Sequence, residues 1–264
     1  MALTSFDPGF VGAAKQFASL AKMASRVAIA AAWFSTFDLA GNPGAGVLAG
    51  TSTAAGVVPT DATAGCPAID AFGGGATGYL MQVDFGSSVA CRMKLFDMVF
   101  KAGAYAFNAN AALAAQPSYA ARMPGGSFGD TMIWIEAVTA FTGNPTFTIT
   151  YTNQAATPGR TAVLAAGLAP TVGRMLLIPL QAGDTGIQKI DNVTCTVATA
   201  GTFNVLVLRP IWSGRCKTAN DGDTHDIAKT GQAVLFADSA LVLAVCPDST
   251  ATGIPELEFV VANG

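Results

Sequence analysis

Charge is what this sequence has least of. Its 264 residues carry 14 Lys and Arg against 17 Asp and Glu, so that 12% are charged, about half the share usual in a soluble domain. Glutamate is confined to Glu136, Glu256 and Glu258, and histidine to His225. No cluster of Lys and Arg interrupts the chain and the net charge is −3, which removes the basic footprint expected of direct binding to a phosphate backbone. Long apolar runs are also missing. "VAIAAAWF", Val27 to Phe34, follows Lys15, Lys22 and Arg26 as the core of an export signal would, but it is only eight residues long, and a membrane span needs roughly 20. No membrane partner is expected, and synthesis is expected in the cytoplasm. The five cysteines include no C-x-x-C pair and no histidine at ligand spacing, and an odd number argues against a secreted disulfide framework. Cys195 and Cys246 lie in apolar strand-like runs, where free thiols behave as small hydrophobes.

Small neutral residues fill the gap left by charge. The chain has 29 Gly and is 51% hydrophobic, so a single copy would turn large neutral patches to water, and such patches mark contact surfaces. The expectation is permanent burial against neighbouring molecules.

From Tyr79 onward the sequence reads as short strands: "YLMQVDF", "RMKLFDMVF", "TMIWIEAVTAF", "TFTITYT", "RMLLIPL", "NVTCTVAT", "TFNVLVLRP", "ALVLAVC" and "LEFVV". Each is rich in β-branched and aromatic residues and is bounded by Gly, Pro, Asn or Asp. Strands without intervening helices predict a mainly β fold, an antiparallel β-sandwich or jelly-roll-like domain over residues 79–264. In "NVTCTVATAGTFNVLVL", Ala200-Gly201 between two alternating runs reads as a hairpin turn. "TMIWIEAVTAF" is apolar on both faces, with Met132, Trp134 and Val138 against Ile133, Ile135 and Phe141. It therefore needs a second layer, either the N-terminal helix described next or an adjoining subunit. "TFTITYT" places Phe147, Ile149 and Tyr151 on a core face and Thr146, Thr148, Thr150 and Thr152 on an uncharged outer one.

The first 38 residues read as a helical segment. Asp7-Pro8 suits a helix start, and Phe10, Ala14, Phe17, Ala21 and Ala24 recur at helical spacing, predicting a helix over roughly 8–30. It would dock on its own domain or on a neighbouring subunit, with Phe17 and Leu20 as interface candidates. Residues 39–78 have many glycines, three prolines and no sustained period, and so predict an extended arm ordered by contact with something else, or a linker.

Chemistry-bearing motifs are few. His225 lies in "NDGDTHD" with Asp221, Asp223 and Asp226, and carboxylates suit hard cations. An EF-hand loop counted from Asp221 needs Gly at position six and Glu at twelve, where this sequence has Asp226 and Gln232. A polar surface loop is expected, with an ad hoc cation site as the alternative. "GGSFG", Gly125 to Gly129, matches G-x-S-x-G around Ser127, but a strand follows the motif where the hydrolase elbow requires a helix. A hydrolase using Ser127 and His225 is thus a remote alternative. "GGGATG", Gly73 to Gly78, lacks the Gly-Lys-Ser/Thr of a phosphate loop. No cofactor is expected.

The stretch from "RMPGGSFGDTMIWIEAVTAFTGNPTFTITYT" through "DNVTCTVATAGTFNVLVLRPIWSG", with the later "FADSALVLAV" and "GIPELEF", resembles structural proteins of tailed-bacteriophage virions over most of the chain after about Phe96. The resemblance carries no catalytic motif. It implies a chain made in the host cytoplasm that ends in the virion, surrounded by copies of itself and by other shell proteins. An early helix, a long arm and a compact β domain then fit a capsid decoration or cement protein. Its partners would be itself, as a trimer or another symmetric homo-oligomer, and the major capsid protein. A tail tube, baseplate or other tail component is the alternative.

Overall fold

The computed structural model describes residues 13–73 and 77–264. The expected helix start at Asp7 and Phe10, and the middle of "GGGATG", lie outside them. In chain order the strands are β1 Lys15–Lys22, β2 Phe34–Ser35, β3 Gly41–Asn42, β4 Ser52–Val57, β5 Gly78–Ser87, β6 Cys91–Ala106, β7 Asn110–Ala112, β8 Met132–Thr142 and β9 Thr146–Asn153. They continue with β10 Arg160–Ala165, β11 Met175–Ile178, β12 Ile187–Thr196, β13 Ala200–Cys216, β14 Asp221–His225, β15 Val234–Leu235, β16 Leu241–Pro247 and β17 Pro255–Asn263. A single helical turn, α1 Ile227–Thr230, is capped by the Asp226 carboxylate.

Among the described residues these strands form three antiparallel sheets. A seven-stranded sheet runs β11-β8-β13-β6-β16-β2, with β4 also on β6; a four-stranded sheet runs β10-β9-β12-β7; a six-stranded sheet runs β14-β5-β17-β1-β3, with β15 also on β5. The long strands β6 and β13, 16 and 17 residues, pair along most of their length and belong to both halves of the molecule. At one end of them the four-stranded sheet packs on the inner face, burying Phe147, Ile149 and Tyr151 with Phe100, Phe203 and Val205. At the other end the six-stranded sheet buries Val83, Phe85, Leu257 and Phe259 with Met93, Leu95 and Trp212. Fully burying a side chain such as Phe147 or Ile149 stabilises the fold by about 1.5–3 kcal/mol.

Charge marks the boundary between these two cores. Asp97 on β6 sits between Leu95 of one core and Val99 of the other, and its cross-strand partner Arg209 sits between Val207 and Ile211. Asp97 accepts from Arg209 Nη2 at 2.9 Å, Ser239 Oγ at 3.0 Å and the Ala240 N–H at 3.1 Å, and also from Arg122 Nη2. Arg122 further donates to Pro59 O and Met98 O, and Arg209 to Val234 O. Burial pushes both guanidiniums down to about 10, which leaves them charged at neutral pH. One carboxylate thus holds two cations and four stretches of chain.

Several sequence expectations are corrected here. No helix forms in the described part of the predicted N-terminal helix: Lys15–Lys22 is strand β1, paired with β17 from Lys15↔Ala262 to Ala21↔Glu256, and residues 23–30 are irregular apart from a bridge at Val27. Ala, Leu and Lys favour a helix locally, but the open edge of β17 offers a backbone ladder and a core for the alternating Ala18 and Leu20. The Gly/Ala-rich segment is not a free arm. It lies on the chain's own seven-stranded sheet, burying Phe37 and Cys66 against Phe96, Met98, Trp134 and Leu206. Glycine permits that closeness: a Cβ on Gly50 would stand 2.8 Å from the Gly103 backbone, and one on Gly56 (φ +69°) 2.2 Å from the Phe100 ring. This segment, with Trp33 and Met175, is the layer that covers Trp134. Nor do β12 and β13 form a hairpin: β12 pairs with β9 and β7, β13 with β6 and β8. Their apolar faces meet across the core, Val193 and Cys195 facing the side of Phe203 and Val205, so the link between them crosses from sheet to sheet. "DGDTH" is strand β14, paired with β5, where a loop was expected. All five cysteines are free and buried.

Asp97→Ala should lower unfolding free energy by about 3–5 kcal/mol, the cost of stripping a buried ion cluster of one partner, read as a shift in the urea midpoint. A loss under about 1 kcal/mol, the range of an exposed pair, would show that the cluster does not anchor the two cores.

Candidate interaction surface

Thr146, Thr148, Thr150 and Thr152 alternate with buried residues along β9 and stand on the outer side of the four-stranded sheet. The register sets Thr150 between Thr161 and Asn192, Thr148 between Val163 and Thr194, and Thr146 between Ala165 and Thr196. Asn110 and Ala112 of β7 extend the same face beyond β12. Its charges lie at one end, where Lys189 and Asp191 pair at 3.4 Å and Thr152 Oγ1 donates to Asp191 at 3.0 Å. At the other end the chain continues into exposed Leu168 and Val197, and Val163 is half exposed within the face. The surface is neutral, short-branched and rimmed by apolar groups. Hydroxyl and methyl pairs of this kind contribute about 0.2–1 kcal/mol each across strands and carry no charge to desolvate.

The charged end is held by a buried clasp. Asp184 accepts from Tyr151 Oη at 2.6 Å, Asn153 Nδ2 at 2.7 Å and Arg160 Nε at 2.9 Å, and Tyr151 Oη accepts from the Gln181 N–H at 2.9 Å. These bonds, that from Arg160 foremost, hold the Asp184 carboxyl down at about 2.

Phe17 and Leu20 part company on β1. Phe17 is 80% exposed on the outer face of the six-stranded sheet, whereas Leu20 is 1% exposed inside the chain's own core, as strand alternation requires. Beside them, Asp84, Asp221, Asp223, Glu256 and Glu258 line a shallow groove of about 800 Å³. Sequence reading missed this acidic strip, although the spacing of Glu256 and Glu258 in "PELEF" was a legible sign that both point outward. Its sign opposes phosphate.

Asp221, Asp223 and Asp226 are separated by their own local bonds. Asp221 accepts from Thr218 Oγ1, Asp223 lies 3.9 Å from Lys229 Nζ, and Asp226 caps α1. Among the described residues no group of three or more His, Cys, Asp or Glu is placed to hold a metal ion. Ser127 and His225 are not brought together: Ser127 precedes the Gly129↔Gly186 bridge beside the first core, and His225 ends β14 in the six-stranded sheet. His225 Nδ1 accepts from Trp212 Nε1 at 3.0 Å, so that acceptor nitrogen is already occupied. Burial, then the nearby Lys229, pushes its pKa down. Among the described residues no helix is long and apolar enough to cross a membrane.

No protein-family model matches the chain, and no curated protein matches it. Among solved structures it is similar to the infectious bursal disease virus VP2 subviral particle at 10% identity and a TM-score of 0.24, over 95% of this chain and 79% of that one. It is similar also to the T13 viral particle of the same virus at 8% identity and a TM-score of 0.20, over 95% and 77%. Likeness this slight bears on neither fold nor role.

Because the folded pKa of Asp184 lies below its unfolded value, its stabilisation is present above about pH 4 and is lost as pH falls toward 2. Tyr151→Phe removes one bond to the carboxylate and should move the acid-unfolding midpoint, followed by circular dichroism, to higher pH. An unmoved midpoint would mean that the clasp does not govern acid stability.

Proposed function

We propose that this chain is a non-enzymatic virion structural protein that decorates and stabilises a phage capsid through contacts between subunits. Its partners would be further copies, in a trimer or another symmetric homo-oligomer, and the major capsid protein, with no direct contact to nucleic acid. The observation that carries this reading is the neutral outer face of the four-stranded sheet, where Thr146, Thr148 and Thr150 are flanked by Thr, Asn, Ala and Val with no ionised side chain among them. Such a face is poorly suited to stand in water as a charged, self-repelling exterior and well suited to a dry contact, since no ion has to be desolvated when it is covered. Closed symmetry multiplies a modest contact of this kind. Val163, Leu168 and Val197 are exposed apolar groups that the same contact would cover, and Phe17, on the six-stranded sheet, would be covered by a separate one. The acidic groove supports the absence of direct nucleic-acid contact, because like charge repels phosphate.

The expected result is that the purified protein sediments as an oligomer and that Thr148→Lys with Thr150→Lys converts it to a monomer. The thermal midpoint should hardly change, since surface substitutions fall within about 0.5 kcal/mol. A wild-type chain that stays monomeric at high concentration would remove the neutral face as a contact. Antibody labelling of intact particles should place the chain on the head in many copies. Label confined to the tail would replace decoration by a tail role.

A further inference from the structure

On the face of the seven-stranded sheet that the glycine-rich segment covers, three polar side chains from adjacent strands converge. They are Lys101 of β6, Asn204 of β13 and Glu136 of β8, exposed by only 6%, 0% and 2%. Asn204 stands directly opposite Glu136, and Lys101 is opposite Leu206, two residues along β13. That diagonal offset is within reach of a long side chain. Two consecutive carbonyls hold the two nitrogens: Lys101 Nζ donates to Val47 O at 2.9 Å and Asn204 Nδ2 to Leu48 O at 2.6 Å. Nδ2 donates also to Glu136 Oε2 at 2.8 Å, and Asn204 Oδ1 accepts from the Gly50 N–H at 2.8 Å. The Phe37 ring closes over the amine at 4.8 Å.

This arrangement has the parts of an acyl transfer. An amine is held on the carbonyl next to the one that holds the amide, a carboxyl group faces the nitrogen that would leave, and a backbone N–H faces the oxygen on which charge would develop. The environment also favours the required protonation states. Burial pushes the Lys101 ammonium down toward the free amine and the Glu136 carboxyl up toward the acid. The attraction between Lys101 and Glu136 acts the other way on both groups, but burial is the larger influence on each.

We propose that Lys101 and Asn204 become joined by an intramolecular amide bond, with Glu136 as the proton-transferring group. The Lys101 amine attacks Cγ of Asn204, forming the Nζ–Cγ bond as the carbonyl electron pair moves onto Oδ1, where the Gly50 N–H receives it. Glu136 gives its proton to Nδ2 and regains one from Nζ. The Cγ–Nδ2 bond then breaks with its electron pair on nitrogen, the carbonyl re-forms, and one ammonia leaves. Nothing is oxidised or reduced and no co-reactant is consumed. A groove of about 350 Å³ lined in part by Val47, Gly50 and Lys101 opens the amine side to solvent. The link would tie β6 to β13, the two strands common to both cores, and it holds whether or not the chain is part of a particle.

Intact-mass spectrometry of the folded wild-type protein tests this directly. The expected mass is that of the sequence less one ammonia, with a branched proteolytic peptide that contains both Lys101 and Asn204. Glu136→Ala should restore the full mass, and Lys101→Met, which keeps the length and apolarity of the stem, should do so independently if the first variant folds poorly. A full-mass wild-type chain, an Asn204 deamidated to aspartate, or an ammonia loss confined to a linear peptide with Lys101 free would each overturn the proposal.

Discussion

The architecture depends on one carboxylate. Asp97 lies where two hydrophobic cores meet on the shared inner face of β6 and β13, and it gathers Arg209 from its own sheet and Arg122 from the 120–122 turn. Through those guanidiniums it also fixes the carbonyls of Pro59, Met98 and Val234. Two cations against one anion would be costly in an apolar interior; both Asp97 oxygens and the terminal nitrogens of both guanidiniums have partners, which offsets that cost, although Nε of each arginine is buried without one. The ionic layer sets where one sandwich ends and the other begins. Without it the long strands would present an unbroken apolar face to two competing sheets.

The opposite face of the same sheet poses a different physical problem. Trp134, Leu206 and Met98 need cover there, yet Asn204, Glu136 and Lys101 on that face need hydrogen-bond partners. The segment from Phe37 to Cys66 answers both demands. Its glycines bring backbone into contact with the sheet, and its carbonyls at Val47 and Leu48 and N–H at Gly50 serve the buried polar groups. A side-chain-rich covering element, such as an amphipathic helix, could not come so near or offer free backbone donors and acceptors. Glycine here is therefore a packing requirement, and the low charge content of the chain follows partly from how much of it is interior to this layered arrangement.

Much of the strand content was legible. "TFTITYT", "TMIWIEAVTAF" and "TFNVLVLRP" alternate or run apolar in ways that only a strand packed on one or both sides satisfies, and each is found as a strand. "KQFASLAK" was not legible, because a segment of good helix formers with weak alternation is decided by what lies beside it, here the open edge of β17. The register of the threonine face followed from period two alone. Its neighbours Thr161, Asn192 and Thr194 did not, since strand order is a long-range fact. The same holds for Lys101, Glu136 and Asn204, which are 35 and 68 positions apart along the chain and carry no local motif.

The sequence by itself determined a mainly β protein with a charge-poor exterior, buried thiols and an outward row of hydroxyls, because composition and period-two patterning act residue by residue. Only tertiary structure decided that the glycine-rich segment folds back on its own sheet, that β12 and β13 lie in different sheets, and that one aspartate holds two arginines. Those outcomes depend on which surfaces compete for burial across dozens of intervening residues, and no local pattern encodes the winner.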